Sequence, residues 1–425
     1  MRPTFSASEV PSGASGVPTK VLARWLNALA RRPSRDLPPE PDGSVNIVSR
    51  AELAHCGHWR DAFAGKRKDH RYYEIVEDTI RQGFDYRYFA LTDKVGQVLA
   101  IQPFFILDQD LLAGMGSKTR ARVDCVRRVW PRFLKMRTLM VGCTVGEGHL
   151  DGDELSHRLN ARLLAPAIVT YARGLKIPLV VLKEFPATYR GPLRCFLRQG
   201  FTRVPSLPMT RLSIDYPTFD DYMANALNGA TRRKLRKKFK VTAAASPITL
   251  SILNDITPII DNVYPLYLQV YNRSTLHFEK LTKAFFCSLG EKMSDTVRFF
   301  VWRQTGRIVA FTLCMLEGNE IYAEYIGLDY SVALDLHLYH YAVRDMISWA
   351  TSRGYKWFRS SGLNYDPKLH LRHQLDPIDL YVRHTSVIAN AVLKRVLPLI
   401  EPTRFDPVLK KFPNYRDLWD TPPSL

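Results

Sequence analysis

At 425 residues the chain has room for two or three domains and a sizeable core, which excludes a disulfide-stapled miniprotein. Apolar residues at 46% and charged residues at 24% are the balance of a chain that folds, and 60 Lys and Arg against 41 Asp and Glu leave +19. That charge seeks a polyanion, whether nucleic acid, a phosphate-rich cofactor or an anionic membrane surface, and does not choose among them.

Residues 1–44 carry seven prolines among Ser, Gly and Ala and read as a disordered leader, within which Val21 to Arg32 could form a short basic amphipathic helix. The start, MRPTFSASEV, lacks the apolar centre of a signal peptide, and no apolar run approaches the roughly 18 residues of a membrane helix. Tyr88 to Ile106 then reads as strand, turn at Gly96, strand. A basic insertion follows at Ser117 to Arg137, with eight Lys or Arg and one Asp. An amphipathic helix ends at Arg173-Gly174-Leu175-Lys176, with Gly174 where a helix C-terminus favours positive φ. Asn228 to Lys240 (NGATRRKLRKKFK) adds seven basic residues and no acid. Phe299 to Leu316 repeats the earlier hairpin around Gly306, and Arg353-Gly354-Tyr355-Lys356 repeats the helix ending. A helix from Val387, broken at Pro398, leads into a Pro-rich tail.

This internal echo divides the body into a first module at 45–215 and a second at 216–390, followed by a C-terminal helix and tail at 391–425. The fold class expected is α/β (α+β), with mixed, largely antiparallel sheets flanked by helices. Six cysteines without CxxC spacing argue against a zinc ribbon or disulfide framework and fit reduced thiols in a cytoplasm. Walker A, GxGxxG and GxSxG runs are missing, so nucleotide hydrolysis, Rossmann-type redox chemistry and a serine-hydrolase elbow have no support.

Phe219-Asp220-Asp221-Tyr222 followed by TRRKLRKKFK, the Tyr-rich stretch from Tyr264 to Tyr271, the hairpin at Gly306 and the segment YAEYIGLDYS resemble the FemAB-like branch of the GNAT superfamily, which holds many bacterial predicted N-acyltransferases. The similarity is strongest from Phe219 to His384. It implies tandem GNAT-like modules and transfer of an acyl group from a thioester or aminoacyl ester to an amine, with the second module housing the chemistry. Two departures stand out. LDYSVALDL lacks the Q/RxxGxG/A pattern that wraps coenzyme A pyrophosphate, and His337-Leu338-Tyr339 replaces a His-Phe-Glu-like run.

Acyl transfer to an amine needs a base, donors for the tetrahedral oxyanion and a slot that positions both substrates. Glu324 alternates with Tyr322 and Ile326 on an apolar strand where a carboxylate can face the acyl channel; the competing reading is a salt-bridged glutamate. Lys368, which matches a lysine recurring in the family, could stabilise the oxyanion or bind phosphate, or be an ordinary loop lysine. Tyr365 and Tyr341 are candidate proton donors against a background of packing tyrosines. Arg232, Arg233, Arg236 and Lys237 are the expected cofactor-binding cations, against the alternative of a solvated helix face. His337 and His340, with His370 and His373, invite a metal, but no motif supports one and none is expected; Cys314 in an apolar strand reads as an inert thiol.

The sequence thus points to a cytoplasmic N-acyltransferase with no tightly bound cofactor, taking acyl-CoA or an acyl-carrier thioester as co-substrate and a small-molecule or peptide amine as acceptor. Two alternatives stay open: an aminoacyl-tRNA-dependent transferase and a non-catalytic GNAT-like binding scaffold. tRNA or an anionic membrane surface are further partners for the basic runs, the latter with peripheral membrane placement.

Overall fold

The computed structural model describes residues 43–110, 127–128, 135–274 and 278–420. The Pro-rich leader with its Val21 to Arg32 segment, and most of the basic insertion, lie outside them. Alternation of apolar and polar side chains builds fourteen strands among the described residues: β1 (Ser44–Val48), β2 (Asp85–Thr92), β3 (Val98–Asp110), β4 (Lys135–Val141), β5 (Leu179–Pro186), β6 (Thr202–Pro205), β7 (Met209–Ser213), β8 (Ile248–Leu253), β9 (Val297–Gln304), β10 (Arg307–Glu317), β11 (Glu320–Leu328), β12 (Trp357–Ser360), β13 (Gln374–Asp376) and β14 (Ile378–His384). The helices of six residues or more are α1 (His70–Thr79), α2 (His157–Gly174), α3 (Phe219–Ala226), α4 (Gly229–Ala244), α5 (Ile260–Arg273), α6 (Lys283–Lys292), α7 (Leu338–Ser352), α8 (Tyr365–His370) and α9 (Val387–Ile400).

The strands form two seven-stranded sheets, in the orders β1-β2-β3-β4-β5-β14-β6 and β13-β7-β12-β11-β10-β9-β8. Each repeats one plan. An antiparallel hairpin turns on a glycine at positive φ, Gly96 at 86° and Gly306 at 82°, and each sheet has one parallel pair, β4 with β5 and β11 with β12. A parallel pair needs a crossover, supplied by α2 and α7. The two sheets exchange strands: β14, from late in the chain, sits between β5 and β6, while β7 sits between β13 and β12.

Two local expectations change. Gly174 stays within α2 and the positive φ falls on Lys176 at 56°, whereas Gly354 adopts 82° as its position suggests. Pro398 does not end its helix, which runs through it to Ile400, because a proline in the last turn removes only one backbone donor. One buried cluster spans both halves of the fold, packing Tyr72, Ile75 and Val76 of α1 against Phe285, Leu289 and Met293 at α6. Each fully buried Leu, Ile or Phe there contributes about 1.5–3 kcal/mol.

Candidate active site

β11 pairs in parallel with β12 only from Glu320 to Ala323 and then leaves it, staying paired with β10 as far as Leu328. On its other side the register with β10 shifts at the same place: Leu313 faces Tyr325 and Cys314 faces Ala323, leaving Glu324 without a partner. A bulge re-aims a side chain and ends regular pairing. Glu324 therefore stands where two parallel strands diverge. Just beyond, Gly327 is required by close approach, since a Cβ there would meet the Phe311 ring at 2.2 Å and the Tyr267 backbone nitrogen of α5 at 2.7 Å.

A cavity of about 510 Å³ opens at the far end of β11, bounded by Leu328, Tyr330, the start of α7, α8 and one face of α4. That is the size of a small-molecule site. Asn228 caps α4 by accepting from Thr231 N at 2.8 Å, and the helical period then sends Lys234 and Lys238 toward the cavity, joined by His340 and His370. Asp366 is the one carboxylate among its described lining residues. The cations register one another. Burial and the neighbouring Lys234 lower the Lys238 ammonium, and burial, Lys238, His337 and His370 push His340 down to about 4. Lys238 Nζ donates to His340 Nε2 at 2.9 Å, which requires a neutral ring with its lone pair on Nε2. Unbalanced positive charge, partly removed from water, is the electrostatic form of an anion site.

The loop that follows β11 closes upon itself. The amides of Val332 and Ala333 donate to Asp329 O, Leu336 to Val332 O, His337 to Leu334 O and Leu338 to Ala333 O. Asp329 fixes the turn further, its Oδ1 accepting from Ser331 N at 3.0 Å and Oγ at 2.7 Å. Positive side chains, rather than this set of amides, face the cavity.

Glu324 also belongs to a buried ionic cluster assembled from four separate segments. Arg67, 2% exposed, donates from Nε to Glu324 Oε1 at 2.8 Å, ion-pairs through its guanidinium with Glu147 and Glu317, and lies 3.6 Å over the Tyr322 ring. Lys68 Nζ donates to Glu147 Oε2 at 2.6 Å, and His149 Nε2 lies 3.1 Å from Glu147 Oε1. Burial alone would push Glu147 up, but Arg67 and Lys68, with the His149 hydrogen bond, hold it well below the usual carboxylate range. Burial lowers the His149 imidazole, against the opposite pull of its Glu147 hydrogen bond. Gly146, at φ 83°, lets this happen, since a Cβ there would sit 2.1 Å from Lys68 Nζ. Arg67, Lys68, Glu147 and His149 were not marked out by the sequence. The faint signal was a glutamate flanked by glycines, Gly146-Glu147-Gly148.

The other residues singled out from the sequence scatter around this frame. Lys368 is buried, its Nζ donating to Ser361 O at 2.5 Å and Leu363 O at 2.9 Å, so it ties down the turn in which Leu363 and Asn364 both have positive φ. Tyr365 is buried with its hydroxyl donating to Pro208 O at 2.8 Å. Tyr341 lies on α7 with the Arg344 guanidinium 3.9 Å over its ring. On α4, Arg233, Arg236 and Lys237 are exposed and Arg232 donates to Ala224 O, so all four expected cations lie off the cavity that Lys234 and Lys238 line. His340 and His370 meet at the cavity, while His373 is buried against Thr210 Oγ1 at 3.1 Å. Among the described residues no group of three or more His, Cys, Asp and Glu is arranged to hold a metal ion. Cys314 is buried beside Met346, and burial raises its thiol well above the ordinary value.

Burial pushes the Lys368 ammonium down to about 7. Its unfolded value is about 10.4, so between the two the unfolded chain binds more protons and stability rises with pH. Lys368→Met should flatten that rise between about pH 7 and 10, read as urea midpoints across the range. A rise of unchanged steepness would remove Lys368 as its source.

The repeated plan of hairpin, crossover helix and parallel pair makes this a mixed α/β protein with two largely antiparallel sheets flanked by helices. Residues 198–369 match the model of the FemAB-like family, described as peptidoglycan biosynthesis/recognition. The chain is similar to the crystal structure of FemX, with 10% identity, 79% of this chain and 96% of that one covered and a TM-score of 0.48. It is also similar to L-PGS from Bacillus licheniformis, at 14% identity, 78% and 95% coverage and a TM-score of 0.46. A tandem GNAT protein from the clavulanic acid biosynthesis pathway shares 12% identity over 81% of this chain and 99% of that one, with a TM-score of 0.43. No curated protein matches by sequence. No helix among the described residues is long and apolar enough to cross a membrane.

Proposed function

We propose that the protein is an N-acyltransferase that moves an acyl group from a phosphate-bearing donor, an acyl-CoA or acyl-carrier thioester, to a primary amine by direct attack. The observation that carries this reading is the cavity at the end of β11, where Lys234, Lys238 and two histidines face one carboxylate. Donor phosphate would supply the missing negative charge there. The acyl end would then point back along β11 toward the bulge at Glu324, where the strands part and an amine can approach. Glu324 is the proposed base. An aminoacyl-tRNA donor is the second reading, favoured by a specific feature: Arg233, Arg236 and Lys237 continue the positive charge of α4 outward, beyond what a small donor needs.

Titration of the protein with acyl-CoA and with charged tRNA separates the donors. Changing Lys234 and Lys238 together to alanine should raise the KM for the true donor by about tenfold or more with kcat held, because phosphate binding is equal in ground and transition states. Neutralising Arg232, Arg233, Arg236 and Lys237 should weaken charged tRNA far more than acyl-CoA and reduce its salt dependence. If neither donor stabilises the protein or binds with salt sensitivity, the transferase reading fails.

A further inference from the structure

The helix α9 is covered on one side only. Its inner face is fixed by Asn390, which donates to Gly200 O at 2.9 Å and accepts from His384 N at 2.9 Å, and by Leu393 and Leu397 packed on Met140, Leu179 and Val181. Its outer face presents Ile388, Val392, Val396 and Leu399 at helical spacing, continued by Phe405; Ile388 is 82% and Phe405 69% exposed. A contiguous apolar stripe of this kind on a surface marks an interaction site.

The charge around the stripe says what would cover it. The sequence from 387 to 400 contains Lys394 and Arg395 and no acid. Glu401, just after it, is 3% exposed and occupied by Thr403 and Arg404. Beside the helix, Arg383 and Lys394 converge on Gly200, where a Cβ would meet Arg383 Nε at 3.7 Å and Lys394 Nζ at 3.9 Å. Arg173 stands close enough to add to the effect of burial in lowering Arg383. Among the described residues no carboxylate pairs with Arg173, Arg383, Lys394 or Arg395, and Arg383 Nε is buried without any acceptor.

We propose that α9 is an interfacial membrane anchor, its Ile388–Leu399 stripe lying in the headgroup boundary of an anionic bilayer while Arg173, Arg383, Lys394 and Arg395 engage lipid phosphates. An apolar stripe flanked by cations that no described carboxylate neutralises, on a helix far too short to span, matches a bilayer surface in both chemistries. The anchor is independent of the donor site and leaves the acyl-transfer reading unaffected either way.

The test is cosedimentation of the full chain with vesicles of phosphatidylcholine alone and of phosphatidylcholine with phosphatidylglycerol. The wild type should sediment with the anionic vesicles and be released by salt. Val392→Glu with Leu399→Glu, both at exposed positions, should keep the thermal midpoint and lose at least about tenfold in vesicle affinity. Arg383→Ala with Lys394→Ala should weaken binding and flatten its salt dependence. Equal binding of wild type and the glutamate variant would place membrane contact elsewhere in the chain and overturn the proposal. So would absence of binding to the anionic vesicles, or a dimer in sedimentation velocity that the glutamate variant turns into a monomer.

Discussion

Arg67→Met is expected to cost about 3–5 kcal/mol of stability, the loss that follows when one partner leaves a buried ionic cluster and its counter-charges stay behind. Glu147 would keep Lys68, and Glu317 would keep Lys66 at 3.3 Å, but Glu324 would be left buried without a cation. Urea denaturation reads the loss, and adding Glu324→Gln to Arg67→Met should recover part of it. A loss below about 1 kcal/mol would mean the cluster tolerates an orphaned carboxylate, and its contribution to stability would fall. The acid side carries a second readout. Glu147 is held below its unfolded value, so its contribution is present above about pH 4.3 and is lost as pH falls toward the folded value. Removing Arg67 should move that acid loss to higher pH, whereas a cluster without linkage to folding would leave the acid limb in place.

Glu324→Gln should lower turnover by about 10² to 10⁴ if Glu324 takes the proton from the attacking amine. The glutamine is isosteric, and Arg67 retains Glu147 and Glu317, so the fold should survive for kinetics to be read. The bulge places this side chain where β11 leaves β12, and the Nε contact from Arg67 orients it. Arg67→Lys keeps the charge without the planar fork, so it should disturb kcat through Glu324 while preserving most of the stability. A fall in turnover of less than tenfold in Glu324→Gln would return the residue to its competing reading, a structural ion pair.

The hairpins, the crossover helices and their spacing were legible because each rests on local periodicity and on a glycine at a turn, Gly96 and Gly306 above all. Glu324 was legible as a polar residue on an apolar strand. Its partner was not, because Arg67 is brought to it only by tertiary folding, and nothing local in Lys66-Arg67-Lys68 separates a buried guanidinium from a solvated one. The basic run on α4 shows the same limit more finely. Seven cations in thirteen residues look uniform along the chain, yet the 3.6-residue period sends Lys234 and Lys238 to the cavity and Arg233 and Lys237 to water. The exchange of β7 and β14 was illegible for another reason: short strands carry little pattern, and their pairings join residues as distant as Pro186 and Ile378.

That exchange also sets an order of events during synthesis. Until residue 384 has emerged, β5 and β6 have no strand between them, and both present unpaired backbone edges. At about 5–20 residues per second the wait after β6 is made lasts roughly 10–40 s. A nascent chain in that interval is an open sheet with sticky margins, so a ribosome stalled anywhere between β6 and β14 should yield an aggregating fragment rather than a folded first half.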